Sequence, residues 1–123
     1  MSDRELLELA ARATGHCMDY MRWDGYRFVE QKVHGVPHCG LNYEKTWNPL
    51  ADDGDALRLA VKLNLHICID AESSGSIIVE WGFDEGGCAQ HSVVESSQDE
   101  LGDLVATRRA IVRAAAAIGE AMQ

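Results

Sequence analysis

Histidine and cysteine residues are the side chains in this sequence that could do chemistry. They supply metal ligands, nucleophiles and general bases, and the 123-residue chain contains five histidines and four cysteines. Several of them lie one to three positions apart, and zinc sites take their ligands from pairs with such short spacings. The close pairs are His16-Cys17, His38-Cys39, His66-x-Cys68 and Cys88-x-x-His91.

Four of these residues could form a zinc site if the fold brought two distant parts of the chain together. His38 and Cys39 would supply one half of the ligands, and Cys88 and His91 the other half. Adjacent residues on a strand point to opposite faces, so His38 and Cys39 would rarely bind the same ion. We therefore expect no metal and no other cofactor, and this set of four is the alternative.

Cys39 is the best candidate for a nucleophile, because His38 precedes it and Gly40 follows it. A thiol next to a histidine base is the arrangement used in nucleophilic catalysis. The local sequence matches no cysteine-protease signature, and no Gly-Lys-Ser/Thr motif opens a helix to bind phosphate. We therefore predict no catalytic residue and no enzyme. A small metal- or thiol-dependent enzyme that uses the His/Cys set is the alternative.

Aromatic residues early in the chain favour a binding function. Tyrosine and tryptophan are enriched at the hot spots of protein interfaces. Trp47 and Trp81 are expected in the core, whereas an irregular region contains aromatics beside acidic residues. The same aromatic residues could stack a nucleotide, so a nucleotide-binding sponge is a further alternative. The predicted partner-binding residues are Asp19, Tyr20, Trp23, Asp24 and Tyr26.

The charge of the chain limits its partners. Lysine and arginine total 11 and aspartate and glutamate total 20, which gives a net charge of −9. Proteins that bind the nucleic-acid backbone need clustered cations, so we expect no such contact. An acidic protein can instead attract a basic partner. We therefore expect the partner to be a protein.

The sequence also favours a soluble cytoplasmic protein. No apolar run reaches the length of a membrane span, and the charged start does not look like a secretory leader. The four cysteines lack C-x-x-C spacing and are expected to be reduced thiols.

The elements that must position these residues begin with a helix in the middle of the chain. Apolar residues recur with the spacing of one helical face up to Leu63, and Asn64 is suited to a left-handed helix end. Three aspartates precede or open the first turn of this helix, where carboxylates are favourable. We expect them to cap the helix and not to bind a cation, because the spaced ligands of a calcium loop are missing. These aspartates are Asp52, Asp53 and Asp55.

Two further helices flank the rest. Residues 2–14 have a Ser2 cap with Glu5 as its capping-box partner, and Gly15 ends the helix. A final helix starts at about residue 101, and its expected apolar stripe includes Leu104, Val105 and Ile111.

Three runs, 65–71, 76–82 and 88–95, are separated by glycine-bearing turns and predict an antiparallel meander. His66 and Cys68 share one face of the first run, and Glu80 lies on the same face as Ile78 in the second. Another strand is predicted at 26–33, where polar and apolar residues alternate.

The expected fold is therefore α+β. An antiparallel sheet of three to four strands is packed by two to three helices in the order α-β-α-β-β-β-α. The length of the chain fits a single domain, residues 1–123. An irregular insert rich in aromatic, His and Cys residues is expected at about 16–46.

Part of the chain resembles small accessory proteins of phages and prophages of Gram-negative bacteria. The resemblance rests on the turn Trp47-Asn48-Pro49-Leu50, the capped helix after it, a β-hairpin and the helix containing 107–119. Residues 47–122 are also similar to the phage α/β/α (ABA) sandwich domain. The resemblance implies a phage-encoded binding protein that inhibits a host factor, such as a defence component, by occupying a site, as anti-CRISPR proteins do. It would act in the cytoplasm of an infected or lysogenic bacterium. Self-association through a sheet edge or the Ala-rich last helix would give a homodimer.

Overall fold

The structure is a computed structural model, and it describes residues 2–15, 21–30, 32–33, 36–37, 46–70, 75–96 and 102–122. Within these ranges the chain forms three helices: α1 (Asp3–Thr14), α2 (Asp53–Lys62) and α3 (Gly102–Ala121). The same ranges contain eight strands: β1 (Met21–Trp23), β2 (Phe28–Glu30), β3 (Lys32–Val33), β4 (Val36–Pro37), β5 (Thr46–Trp47), β6 (His66–Asp70), β7 (Ser76–Phe83) and β8 (Ala89–Ser96).

The α+β class and the order of the main elements are confirmed. The meander β6-β7-β8 is antiparallel, and its strands begin and end within one residue of the predicted runs. The segment between α1 and α2 contains more β-structure than expected. There β1, β2 and β5 form a second antiparallel sheet, and β3 pairs with β4.

The strand expected at 26–33 begins only at Phe28. The preceding residues form a turn that Asp24 holds, so Tyr26 does not share a strand face with Phe28. Phe28 lies opposite both Trp23 and Trp47 in the ladder. Its burial, with Trp47 beside it, attaches this sheet to the core.

Helix α1 confirms the predicted cap. The Glu5 amide donates to Ser2 Oγ at 3.2 Å, and the Ser2 amide donates to Glu5 Oε2 at 3.0 Å, which together form a capping box. Gly15 has φ of 69° and ends the helix in the left-handed conformation.

Helix α2 begins after Asp52, whose carboxylate accepts from the Asp55 amide at 2.8 Å. The predicted capping role of this aspartate is therefore confirmed. Asn64 has φ of 54°, the left-handed conformation expected of it. Leu59 and Ala60 lie on the apolar face of the helix and are buried in the core.

Helix α3 packs against α1, α2 and two strands of the meander. The apolar stripe predicted for it is only partly correct. Ile111 is buried, but Leu104 and Val105 are 61% and 49% exposed. At this end Ala106 and Ala110 face the core instead, because small side chains let neighbouring elements approach closely.

One hydrophobic cluster connects all three helices with both three-stranded sheets. Ile77 and Val79 are its fully buried strand residues. The predicted core position of Trp47 is confirmed, and Trp81 lies half-buried at the edge, where its ring stacks on His91 at 5.4 Å. No helix in the described residues is both long and apolar enough to cross a membrane.

Candidate functional site

The turn between β1 and β2 is organised by the carboxylate of Asp24. Its Oδ1 accepts hydrogen bonds from the amides of Tyr26 at 2.9 Å and Arg27 at 2.8 Å. The Asp24 amide donates to the Arg27 carbonyl at 3.1 Å, and Gly25 supplies φ of 100°. This is the local geometry for which Asp and Gly are favoured in turns. It projects the Tyr26 side chain outward, 63% exposed.

The Asp24 carboxylate is stabilised in its ionised form. Hydrogen bonds from the backbone N–H groups of Arg27 and Tyr26 lower its pKa below the ordinary value of 3.8, and the nearby Arg27 charge acts in the same direction. The Arg27 Nε lies 3.4 Å from Asp24 Oδ2. The turn therefore keeps its hydrogen bonds throughout the neutral pH range.

Asn48 fastens this turn to the rest of the protein. It is the buried polar residue among those that the structure describes. Its Nδ2 donates to the Tyr26 carbonyl at 2.9 Å, and its Oδ1 accepts from the Leu50 amide at 3.0 Å. Its own amide donates to Asp55 Oδ2 at 2.9 Å. One side chain and its backbone thus join the β1–β2 turn to the start of α2.

The acidic cluster at the start of α2 is engaged by protein groups. Besides receiving the Asn48 amide, Asp55 accepts from Arg58 Nη2 at 2.6 Å through its other oxygen. Asp53 Oδ1 accepts from Arg108 Nη1, also at 2.6 Å. Asp52 caps the helix, as the sequence predicts, whereas the ion pairs of Asp53 and Asp55 with arginines were not predicted.

Arg108 links α3 to the same region, a role that the sequence does not reveal. Its Nε donates to the Leu50 carbonyl at 2.9 Å, and its side chain is only 15% exposed. Leu50 and Arg108 are 58 positions apart, so local patterning carries no signal of this contact. It fixes the start of α3 beside the turn that contains Asn48.

Tyr26 stands between two open grooves, of about 350 and 310 Å³. Asn48 and Ala51 line both. The exposed Tyr26 ring with the two grooves is named the Tyr26 surface. The first groove adds Asp3, Leu50, Val105, Arg108 and Arg109, and the second adds Arg27, Thr46, Asp52, Asp55 and Arg58.

The five predicted partner-binding residues have different positions. Tyr26 is exposed, and Asp24 supports the turn that presents it. Trp23 is half-buried and packs against the hydrophobic core, with its ring centroid 5.0 Å from that of Phe28. Asp19 and Tyr20 lie outside the described residues.

The alternative zinc set gains no geometric support from the described part of the chain. Cys88 and His91 are both exposed, and neither belongs to a described group of three potential ligands. His38 and Cys39, which would supply the other two ligands and also the candidate nucleophile, lie outside the described residues.

Comparison of the chain with protein-family models, curated proteins and solved structures gives no match.

Proposed function

We propose that this chain is a binding protein that uses the Tyr26 surface to occupy a site on a partner protein, without catalysis. The observation that carries the proposal is an exposed aromatic ring on a backbone held in place on both sides. Asp24 accepts from the Tyr26 amide, and Asn48 donates to the Tyr26 carbonyl. Preorganisation of this kind lowers the entropy lost on binding.

The residues around Tyr26 are suited to an interface. Arg27, Arg58 and Arg109 line the grooves, and arginine and tyrosine are among the residues enriched at hot spots. Aspartates line the same grooves, so the surface offers donors and acceptors around an aromatic centre. The net charge of −9 adds a long-range attraction for a basic partner.

The proposed partner is a host protein, and the proposed effect is inhibition. The resemblance of residues 47–122 to phage and prophage accessory proteins supports this, and it points to a bacterial defence component as the target. The place of action would be the cytoplasm of an infected or lysogenic bacterium. A small chain that blocks a site by occupying it needs no catalytic set.

Tyr26→Ala tests the proposal. Affinity-tagged protein is incubated with lysate of a Gram-negative host, and a stoichiometric partner is purified and titrated against each variant. If Tyr26 is a hot spot that contributes about 2 kcal/mol, its truncation weakens Kd about 30-fold. Leu57→Ala is the matched control, because Leu57 is 61% exposed on α2 and lines neither groove.

The control should bind as the native chain does. Equal affinity of the native chain and Tyr26→Ala would refute the Tyr26 surface as the binding site. Failure to recover any partner at micromolar bait would count against the binding function itself.

Self-association is proposed to use a sheet edge. The Ala-rich face of α3 is already occupied within the chain, because Ala110, Ala114 and Ala115 are fully buried. Strands β6 and β8 lie at the two edges of the meander. Light scattering over a range of protein concentrations would measure the oligomeric state.

A further inference from the structure

Three side chains of different chemistry meet on one face of the meander. Alternation along β6 places His66 and Cys68 on the same face. The register pairs His66 with Glu80 of β7, which brings the carboxylate to that face too. The opposite face of β7 carries Ile77 and Val79, which are buried in the core. The three polar groups are therefore directed away from the hydrophobic interior.

The distances between their ligand atoms are near those of a metal site. One atom from each of His66, Cys68 and Glu80 lies within 4.8 Å of the other two. His66 Nδ1 and Glu80 Oε1 are 3.8 Å apart. Ligands of a tetrahedral zinc ion, at bond lengths of about 2.0–2.3 Å, are separated by roughly 3.3–3.8 Å. Small side-chain rotations would therefore bring all three into coordination.

The surroundings favour a defined site that an ion can reach. The side chains of His66 and Glu80 are 58% and 30% exposed, and Cys68 is a half-buried free thiol. The Phe83 ring lies edge-on to the His66 ring at 5.8 Å and restricts its orientation. Hydrogen-bonded strands hold the three Cα positions, so little backbone entropy would be lost on binding.

We propose that His66, Cys68 and Glu80 bind a zinc-class divalent cation, with a fourth position open to water or to a donor from another molecule. A thiolate and an imidazole disfavour magnesium and calcium, which prefer oxygen ligands. One nitrogen, one sulfur and one oxygen donor form a mixed set of the kind that zinc accepts. The site is separate from the Tyr26 surface, since none of the three residues lines either groove.

Without a metal, the same arrangement would be a cross-strand His66–Glu80 pair beside an uninvolved thiol. The two interpretations differ in what they require of Cys68. Only a metal site makes the thiol essential, so Cys68→Ser separates them. The sequence had placed His66 and Cys68 on one face, but it did not predict the register that adds Glu80.

The proposal is tested by isothermal titration calorimetry, in which Zn²⁺ alone is titrated into the reduced, chelator-treated full chain. We expect one Zn²⁺ per chain. Cys68→Ser and Glu80→Gln should each weaken binding by about tenfold or more, since even the loss of an outer-shell partner costs at least that much. Co²⁺ should give a thiolate-to-metal charge-transfer band that Cys68→Ser abolishes.

Cys88→Ser and His91→Gln are the matched controls, because both residues are exposed on the same sheet region but belong to no described ligand cluster. Both should bind Zn²⁺ as the native chain does, and all variants should keep the native circular dichroism spectrum. The proposal is overturned if the native chain shows no saturable binding at micromolar Zn²⁺. It is equally overturned if Cys68→Ser binds like the native chain, or if Cys88→Ser removes binding.

Discussion

At the scale of single residues, two polar side chains decide how Tyr26 is presented. The Asp24 carboxylate accepts hydrogen bonds from the amides of Tyr26 and Arg27, and the Asn48 side chain donates to the Tyr26 carbonyl. Both act on the backbone of the turn. The arrangement explains why a buried asparagine is tolerated, since its amide, side-chain donor and side-chain acceptor all have partners.

Asn48→Ala should destabilise the protein by about 1–3 kcal/mol, because the partly buried Leu50 amide and Tyr26 carbonyl lose their partner. Urea unfolding followed by circular dichroism measures the change. Thr46→Ala is the control, since Thr46 is exposed and two positions away. It should change the free energy of unfolding by less than about 0.5 kcal/mol. Equal stability of the two variants would contradict the role given to Asn48.

The hydrogen bonds of Asp24 should be lost only in strong acid. Because its folded-state pKa is depressed, the stabilisation is fully present above the unfolded-state pKa and is lost as the pH falls through the folded-state pKa, below 3.8. The amide chemical shifts of Tyr26 and Arg27 should therefore titrate together below pH 3.8. Asp24→Asn should remove this titration from both amides. A midpoint at or above 3.8 would show that the carboxylate is not held as described.

At the scale of elements, local signals were sufficient for the helices. The capping box of Ser2, the Asp52 cap and the left-handed Asn64 depend on neighbours within a few positions, and all three were predicted correctly. The strands between α1 and α2 were predicted less well. Their pairing joins Phe28 to Trp47, a contact set by tertiary packing and not by periodicity.

The contact between α1 and α3 depends on a glycine. A Cβ at position 119 would collide with the Leu9 carbonyl oxygen and lie 2.8 Å from its carbon. Gly119→Ala should therefore destabilise by about 1–3 kcal/mol through forced displacement of the helices, although alanine is the better helix former. Urea unfolding measures this change.

The control for this change is Gly54→Ala in α2. There the nearest atoms, at 3.2–3.3 Å, are the movable guanidinium of Arg58 and the carboxylate of Asp52. That variant should be neutral or up to about 1 kcal/mol more stable. A stabilising Gly119→Ala would show that the two helices are not in close contact.

At the scale of the whole molecule, α3 is the element on which both proposed sites depend. Its first turns carry Val105, Arg108 and Arg109 to the Tyr26 surface, and the meander that holds His66 and Glu80 packs along it. The α+β class followed from the order of periodic segments. The two sites did not. The Tyr26 surface combines residues from elements far apart in the chain, as Arg108 with Leu50 shows, and the cluster of His66, Cys68 and Glu80 depends on the register of β6 against β7.

The way the β1–β2 turn is fastened has a consequence for how such a protein could change over generations. Asp24 and Asn48 grip only main-chain atoms of position 26, and main-chain atoms are the same in nearly every amino acid. The side chain at position 26 can therefore be replaced without loss of the hydrogen bonds that hold the turn. A lineage whose target protein keeps altering its surface could follow it by substitutions at this position, while the rest of the fold stays intact.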